Sequence, residues 1–238
     1  MNNTIKQTET ISELTENKSS NILKDNYNIC LFSASIFIII LDQITKIYIK
    51  GFNLFGFEHI GFLRGEIIES YFNDTIMITF VENPGMAWGI EFGPLKILLS
   101  MFSFVAGGAI FYYLTKIKGA SLGVRIGFTL IMSGALGNGI DRVFYGWFYG
   151  YESLFYGYVV DFIQVDIPDM FGMTHWPVFN VADASVSCGV VLLLFFNKKI
   201  PTLESVFPKY FKNKDIENQK DEKATNDSTD NNEEIEKD

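Results

Sequence analysis

The side chains best placed to do chemistry in this chain are two carboxylates with no cationic neighbour in sequence, Asp161 and Asp183. An unpaired carboxylate at an apolar boundary tends to neutralise or to share a proton, and two that meet can divide acid and base work between them. Other polar groups recur at helical spacing. Asn138, Asp141 and Arg142 fall at i, i+3 and i+4, and Asn180 stands three before Asp183. Asp42 and Lys46 are four apart in the favourable acid-before-base order, with Thr45 on the same face, and read as a self-sufficient ion pair. Arg142 either pairs with Asp141 or holds a carbonyl or headgroup by forked hydrogen bonds. Asn83-Pro84-Gly85 punctuates a tight turn ahead of a helix.

Other chemistries lack parts. His59 and His175 have no companion at metal-ligand spacing, so no metal is expected. Ser133 has no histidine within the apolar runs to serve as its base. Cys30 and Cys188 fall in apolar runs and read as small core hydrophobes. No cofactor is needed for carboxylate chemistry. A net charge of −9 argues against nucleic acid as a partner.

The elements that must carry these residues are membrane spans. The chain has 238 residues, 48% of them hydrophobic, with 23 Phe, and a mean hydropathy of +0.16. A helix needs about 20 mostly apolar residues to cross a bilayer. Residues 97–115 meet that with no charge at all; 29–49, 119–143 and 178–197 meet it if single charges are tolerated. Four spans result. Lys116, Lys118 and Arg125 flank the second link, and Lys198, Lys199, Lys209 and Lys212 follow the last span. Residues 144–178 hold no Lys or Arg, which puts both termini in the cytoplasm and the two longer loops outside, with Lys50 alone dissenting. All four polar motifs then reach the outer leaflet. Charges at that depth require a partner or a function.

Residues 75–81 and 159–165 are β-prone, with Ile76, Ile78 and Phe80 on one face of the first, so a small extracytoplasmic β-sheet is expected. The expected fold is a membrane all-α one, with four transmembrane helices and that small sheet with its loops. Residues 1–28 are a polar cytoplasmic segment, 29–197 the four-span domain, and 198–238 a charged cytoplasmic tail. Residues 213–238 alone hold ten acids and four lysines, too polar to fold by themselves.

Five motifs in order carry a family resemblance: Asp42-Gln-Ile-Thr-Lys46, Asn83-Pro-Gly-Met-Ala-Trp88, Gly134-Ala-Leu-Gly-Asn-Gly-Ile-Asp-Arg142, Val159-Val-Asp-Phe162 and Phe179-Asn-Val-Ala-Asp183. Over residues 29–197 the chain resembles the lipoprotein signal peptidases (signal peptidase II), bacterial membrane enzymes. The resemblance implies an aspartic endopeptidase that removes the signal peptide from diacylglyceryl-modified prolipoproteins, cutting just before the lipidated cysteine. It implies Asp161 and Asp183 as the catalytic dyad, and Asn83, Asn138, Arg142 and Asn180 as groups that line the substrate pocket or hold the dyad. Asp42, Lys46, Gly85 and Asp141 are supporting residues. Prolipoprotein and membrane lipid are the implied partners of a monomeric enzyme in the cytoplasmic membrane, with its site near the outer face. The chain departs from the pattern in an aromatic insert at 144–158, which suggests a gate for lateral access of lipidated substrate, and in Trp88, where Phe is commoner. A small polytopic transporter or a membrane scaffold with a polar cluster at the outer leaflet is the alternative.

Overall fold

A computed structural model describes residues 28–85, 95–170 and 173–211, with side chains described outside 168–175. The Met86-Ala-Trp88 end of the second motif lies outside the described residues. The order is α1 (Asn28–Lys50), β1 (Gly51–Leu54), β2 (Phe57–Ile60), β3 (Ile67–Tyr71), β4 (Ile76–Asn83), α2 (Lys96–Lys116) and α3 (Leu122–Ile140). A π-helical turn (Asp141–Tyr145) runs on into α4 (Gly146–Phe148), followed by β5 (Val159–Met170), β6 (Met173–His175) and α5 (Val181–Phe195). From Lys199 onward a separate unit begins, whose described part holds α6 (Leu203–Val206), capped by Thr202.

The long helices are built the opposite way to helices in water. On α1, Ile29, Ile36, Phe37, Ile40, Ile44 and Tyr48 are exposed, while Ser35, Asp42 and Lys46 are buried. The buried positions of α2 are Ser100, Ser103, Gly107 and Leu114, and those of α5 are Ala182, Ser185 and Gly189. Large apolar residues outside and small or polar ones inside is the distribution that a hydrocarbon solvent selects. Cys30 and Cys188 follow it: both are free and exposed on the outer faces of their helices, not in the core as expected. Helices α1 and α2 are each long and apolar enough to cross a membrane, and α5 supplies a third span if it is joined with the residues after it.

Helix α3 packs between α2 and α5 and is mostly glycine and polar residues on its buried side. A Cβ at Gly134 would run into the Ala182 carbonyl, and Gly127 meets Gly189 and Leu193 the same way. Glycine is therefore what lets α3 approach α5 closely enough for Asn138 to face Asn180. Ser133 donates to the Thr129 carbonyl, and its Oγ lies 2.8 Å from Ser35 Oγ, whose hydroxyl can donate to it, a buried tie between α1 and α3.

Strands β3-β4-β5-β6 form an antiparallel sheet, and β1-β2 a separate hairpin. The extra strands went unread in the sequence because β1 and β2 lack period-2 burial and β3 is largely exposed. The β4 face also differs from the expected one. A register shift between Ile78 and Val81 turns Phe80 into the core, so that Met77, Thr79 and Phe80 are buried and Ile76 is not. Phe80 joins Ile49, Tyr145, Val160 and Phe162 in the apolar core beside the site.

One pairing matters most for function. Ile163 and Phe179 exchange backbone hydrogen bonds of 2.8 and 2.9 Å, so the chain enters α5 running antiparallel to β5. The next residues, Asn180 to Asp183, are thereby led back towards Asp161. The aromatic insert is tied down as well. The N–H groups of Phe155 and Gly157 donate to the carbonyls of Val143 and Arg142 at 3.0 and 2.9 Å, satisfying acceptors that the π turn leaves open. Lys50 pairs with Glu82 and sits over the rings of Tyr149 and Tyr151, at 4.5 and 4.8 Å from their centroids. That local use accounts for a cation at this boundary.

Candidate active site

The polar residues of α1 form the floor. Lys46, fully buried, bonds to Asp42 Oδ2 and Asp141 Oδ2, each at 2.8 Å. Asp42 uses its other oxygen to accept the Ala182 N–H at 2.9 Å, and Asp141 accepts the Val160 N–H at 3.3 Å. The cation thus joins α1 to the π turn, and its acids reach α5 and β5. Burying one cation with two carboxylates is tolerable only when the remaining lone pairs also find donors, as they do here. Gly137 makes room: a Cβ there would stand 2.8 Å from Asp42 Oδ2.

Above the floor are two amides whose orientations are fixed by groups that can only donate. Lys46 Nζ donates to Asn138 Oδ1 at 2.8 Å, which turns Asn138 Nδ2 to Asp183 Oδ1 at 2.7 Å. The Asp183 backbone N–H donates to Asn180 Oδ1 at 2.9 Å, which turns Asn180 Nδ2 to Asp161 Oδ1 at 2.7 Å. An ammonium and a backbone N–H have no acceptor lone pair, so neither amide can flip without losing its bond. Asn180 is the N-cap of α5 and Asp183 its third residue, and the two form a reciprocal capping box: Asn180 N–H donates to Asp183 Oδ2 at 3.2 Å. The helix start itself thus sets one acid in place.

Asp161 is 2% exposed. Besides Asn180 it accepts Asn83 Nδ2 at 3.1 Å, and Asn83 Oδ1 accepts the Gly85 N–H at 3.0 Å, the turn that ends β4. Burial first, and then the Asp183 carboxylate, push the Asp161 pKa up to about 7, against the opposing pull of Asn83, Lys46 and Asn180. Among the described residues no cation lies within ion-pair distance of either Asp161 or Asp183. The Arg142 guanidinium interacts electrostatically with Asp141, Asp183 and Asp161, yet makes no hydrogen bond or ion pair with a described residue. Its fork of donors is free for a ligand. Two carboxyls held by amides, one of them titrating near neutrality, beside an uncommitted guanidinium, can perform general acid–base chemistry on a carbonyl.

Comparison with known proteins decides the family. A family described as Signal peptidase (SPase) II matches residues 34–197, well over half the chain. The chain belongs to the signal peptidase II family. The lipoprotein signal peptidase of Porphyromonas gingivalis is 33% identical over 190 residues, covering 67% of this chain and 78% of that protein. That of Clostridium novyi is 35% identical over 161 residues, covering 68% of this chain and 92% of its own. A solved bacterial membrane enzyme structure superposes with a TM-score of 0.53 at 30% identity, over 71% of this chain and 88% of that one. The chain is thus a membrane peptidase by family.

Several details of this signal peptidase II chain differ from expectation. Asp42–Lys46 is not self-sufficient, since Lys46 also serves Asp141 and Asn138. Of the two readings left open for Arg142, pairing with Asp141 is not the one seen, since Asp141 takes Lys46 as its partner. Thr45 turns back on its own helix, donating to the Leu41 and Asp42 carbonyls. Two members of the site went unread. Gln43 Nε2 donates to Asp141 Oδ1 at 2.9 Å and shares its other N–H between Asp42 Oδ2 and the Gly137 carbonyl, each at 3.2 Å, while its Oε1 accepts from Tyr145 Oη at 3.1 Å. The available signal was a glutamine beside an aspartate inside an apolar run. Tyr145 gave none, standing as one aromatic among many.

Proposed function

We infer that this chain is an intramembrane aspartic endopeptidase that removes the signal peptide from diacylglyceryl-modified prolipoproteins, cutting just before the lipidated cysteine. The observation that carries the reading is Asn180, one residue that touches both acids: its side chain bonds Asp161 at 2.7 Å and its backbone N–H bonds Asp183 at 3.2 Å. The relatives named lipoprotein signal peptidase supply the substrate class.

In this reading Asp161 holds the proton and Asp183 is the base. Asp183 takes a proton from water as its oxygen attacks the scissile carbonyl carbon, and Asp161 gives its proton to the carbonyl oxygen. The reverse transfer delivers a proton to the departing nitrogen as the C–N bond breaks. Arg142 holds a neighbouring substrate carbonyl, and Asn83 with Gly85 shapes the edge of the pocket, so that binding is converted into reactive geometry. Asp42, Lys46 and Asp141 support the amides from below. Helix α3 with its π turn is the fourth span, beside α1, α2 and α5. Both termini are cytoplasmic, residues 29–197 are the catalytic domain, 1–28 and 198–238 are tails, and a single copy carries the site near the outer face of the membrane.

The test is cleavage of a diacylglyceryl-modified peptide by the parent and by Asp161→Asn and Asp183→Asn. Each variant is expected to lose at least about 100-fold in kcat while still inserting in membrane. An active double Asn variant overturns the reading, and leaves a transporter or scaffold.

A further inference from the structure

We propose that the β1–β2 hairpin is a lipid-docking element whose aromatic face lies in the membrane interface where α1 ends. The inference goes beyond the catalytic reading and rests only on α1 being a membrane span. The pairing sets the faces. Phe52 is opposite His59 and Leu54 opposite Phe57, so these four share one side of the ribbon, while Asn53 and Glu58 share the other, with Ile60 at its base.

The first side is continuous with the lipid-facing stripe of α1. The His59 ring stacks on Tyr48, centroids 5.1 Å apart and 13° from parallel, and His59 Nε2 meets the Tyr48 carbonyl at 2.8 Å. Tyr48 is the last exposed member of the row that runs through Ile36, Ile40 and Ile44. The hairpin therefore extends a surface already turned to hydrocarbon, and does so at the depth where aromatic side chains collect. Among the described residues nothing covers it beyond His59: Phe57 is 76% exposed and Phe55, at the tip, 91%.

The backbone adds an independent observation. Phe55 sits in the turn with φ +51°, before Gly56 at φ +85°. Such a position favours Gly or Asn, and a bulky residue there is strained. The strain sustains a ring that packs on almost none of the protein, which points to a partner outside it. A headgroup–acyl boundary fits an apolar ribbon face backed by Asn53 and Glu58.

The experiment uses the full chain in phosphatidylethanolamine–phosphatidylglycerol vesicles, with Cys30 and Cys188 changed to Ser and one nitroxide at Phe57→Cys, Phe55→Cys, Glu58→Cys or Ile40→Cys. Labels at 55 and 57 are expected to collide more with oxygen than with a water-soluble nickel chelate, as at the lipid-facing position 40, and the label at 58 is expected to show the reverse. Phe55→Gly suits the turn, so it cannot unfold the hairpin, and is expected to shift label 57 several-fold towards the nickel chelate. The proposal is overturned if 57 behaves like 58, if 55 and 57 are shielded from both reagents as a protein partner would shield them, or if Phe55→Gly leaves label 57 unmoved. None of these readouts depends on cleavage.

Discussion

The knot of charges around Lys46 and the amide shell around Asp161 and Asp183 share Asn138, yet they handle buried carboxylates in different ways. In the knot, Asp42 and Asp141 face a full positive charge at 2.8 Å. In the shell, Asp161 and Asp183 face neutral amides and backbone N–H groups. Asp161, supported by amides in a dry setting beside another acid, is pushed up to about 7. The partner, not the residue type, separates the two pairs of acids.

The strongest way to break that contrast, after the dyad variants themselves, is Lys46→Met. It leaves Asp42 and Asp141 buried without a cation, and loss of one partner of a buried ion pair costs about 3–5 kcal/mol. Cleavage and thermal stability in detergent should fall together. The triple variant with Asp42→Asn and Asp141→Asn removes the stranded charges and should regain most of the stability. Activity should stay roughly 10-fold or more below the parent, because Asn138 has lost the donor that turns its Nδ2 towards Asp183 and a misaimed group costs about that much in rate. Recovery of both properties would reduce Lys46 to a purely structural tie.

Titration sharpens the same contrast. Asp161 is raised from 3.8 to about 7, so the folded protein holds a proton there that the unfolded chain releases near pH 4. Its contribution to stability is fully present below the unfolded value, declines as pH rises, and is gone above about 7. If the reaction needs that proton, kcat/KM should have an alkaline limb near pH 7, measurable on the lipidated peptide. The limb should vanish from any residual activity of Asp161→Asn. A flat profile from pH 6 to 9 would remove Asp161 from the role of proton donor.

The sequence carried the site better than it carried the frame. Charged and amide residues stand out in apolar runs because each is costly there, so Asp42, Lys46, Asn138, Asp141, Asn180 and Asp183 were readable one by one, and the capping spacing of Asn180 and Asp183 was readable as a pair. Their partners were not. Which acid Lys46 chooses depends on how closely α3 approaches α1 and α5, and the glycines that permit it announce close packing without saying against what. Gln43 was legible as a polar residue in a span but not as the bridge to Tyr145. The hairpin β1–β2 was missed because each strand is only 4 residues long, too short a run for its alternation of Phe52, Asn53 and Leu54, or of Phe57, Glu58 and His59, to stand out as a strand signal.

The smallest expected effect is also the most specific. Asn83 contributes one hydrogen bond to Asp161, at 3.1 Å, longer than the 2.7 Å bond from Asn180. It favours the charged carboxylate, so Asn83→Ala should raise the Asp161 pKa further and move the alkaline limb of kcat/KM upward. A single hydrogen bond is worth about 1 kcal/mol, which limits the move to on the order of one pH unit. The knot is untouched by this change, so unfolding in detergent should stay within about 0.5 kcal/mol of the parent apart from the lost bond itself. An upward limb shift with stability retained separates tuning of the acid from support of the fold. A limb that stays in place would mean that Asn83 serves the substrate alone, and that Asn180 suffices to hold Asp161.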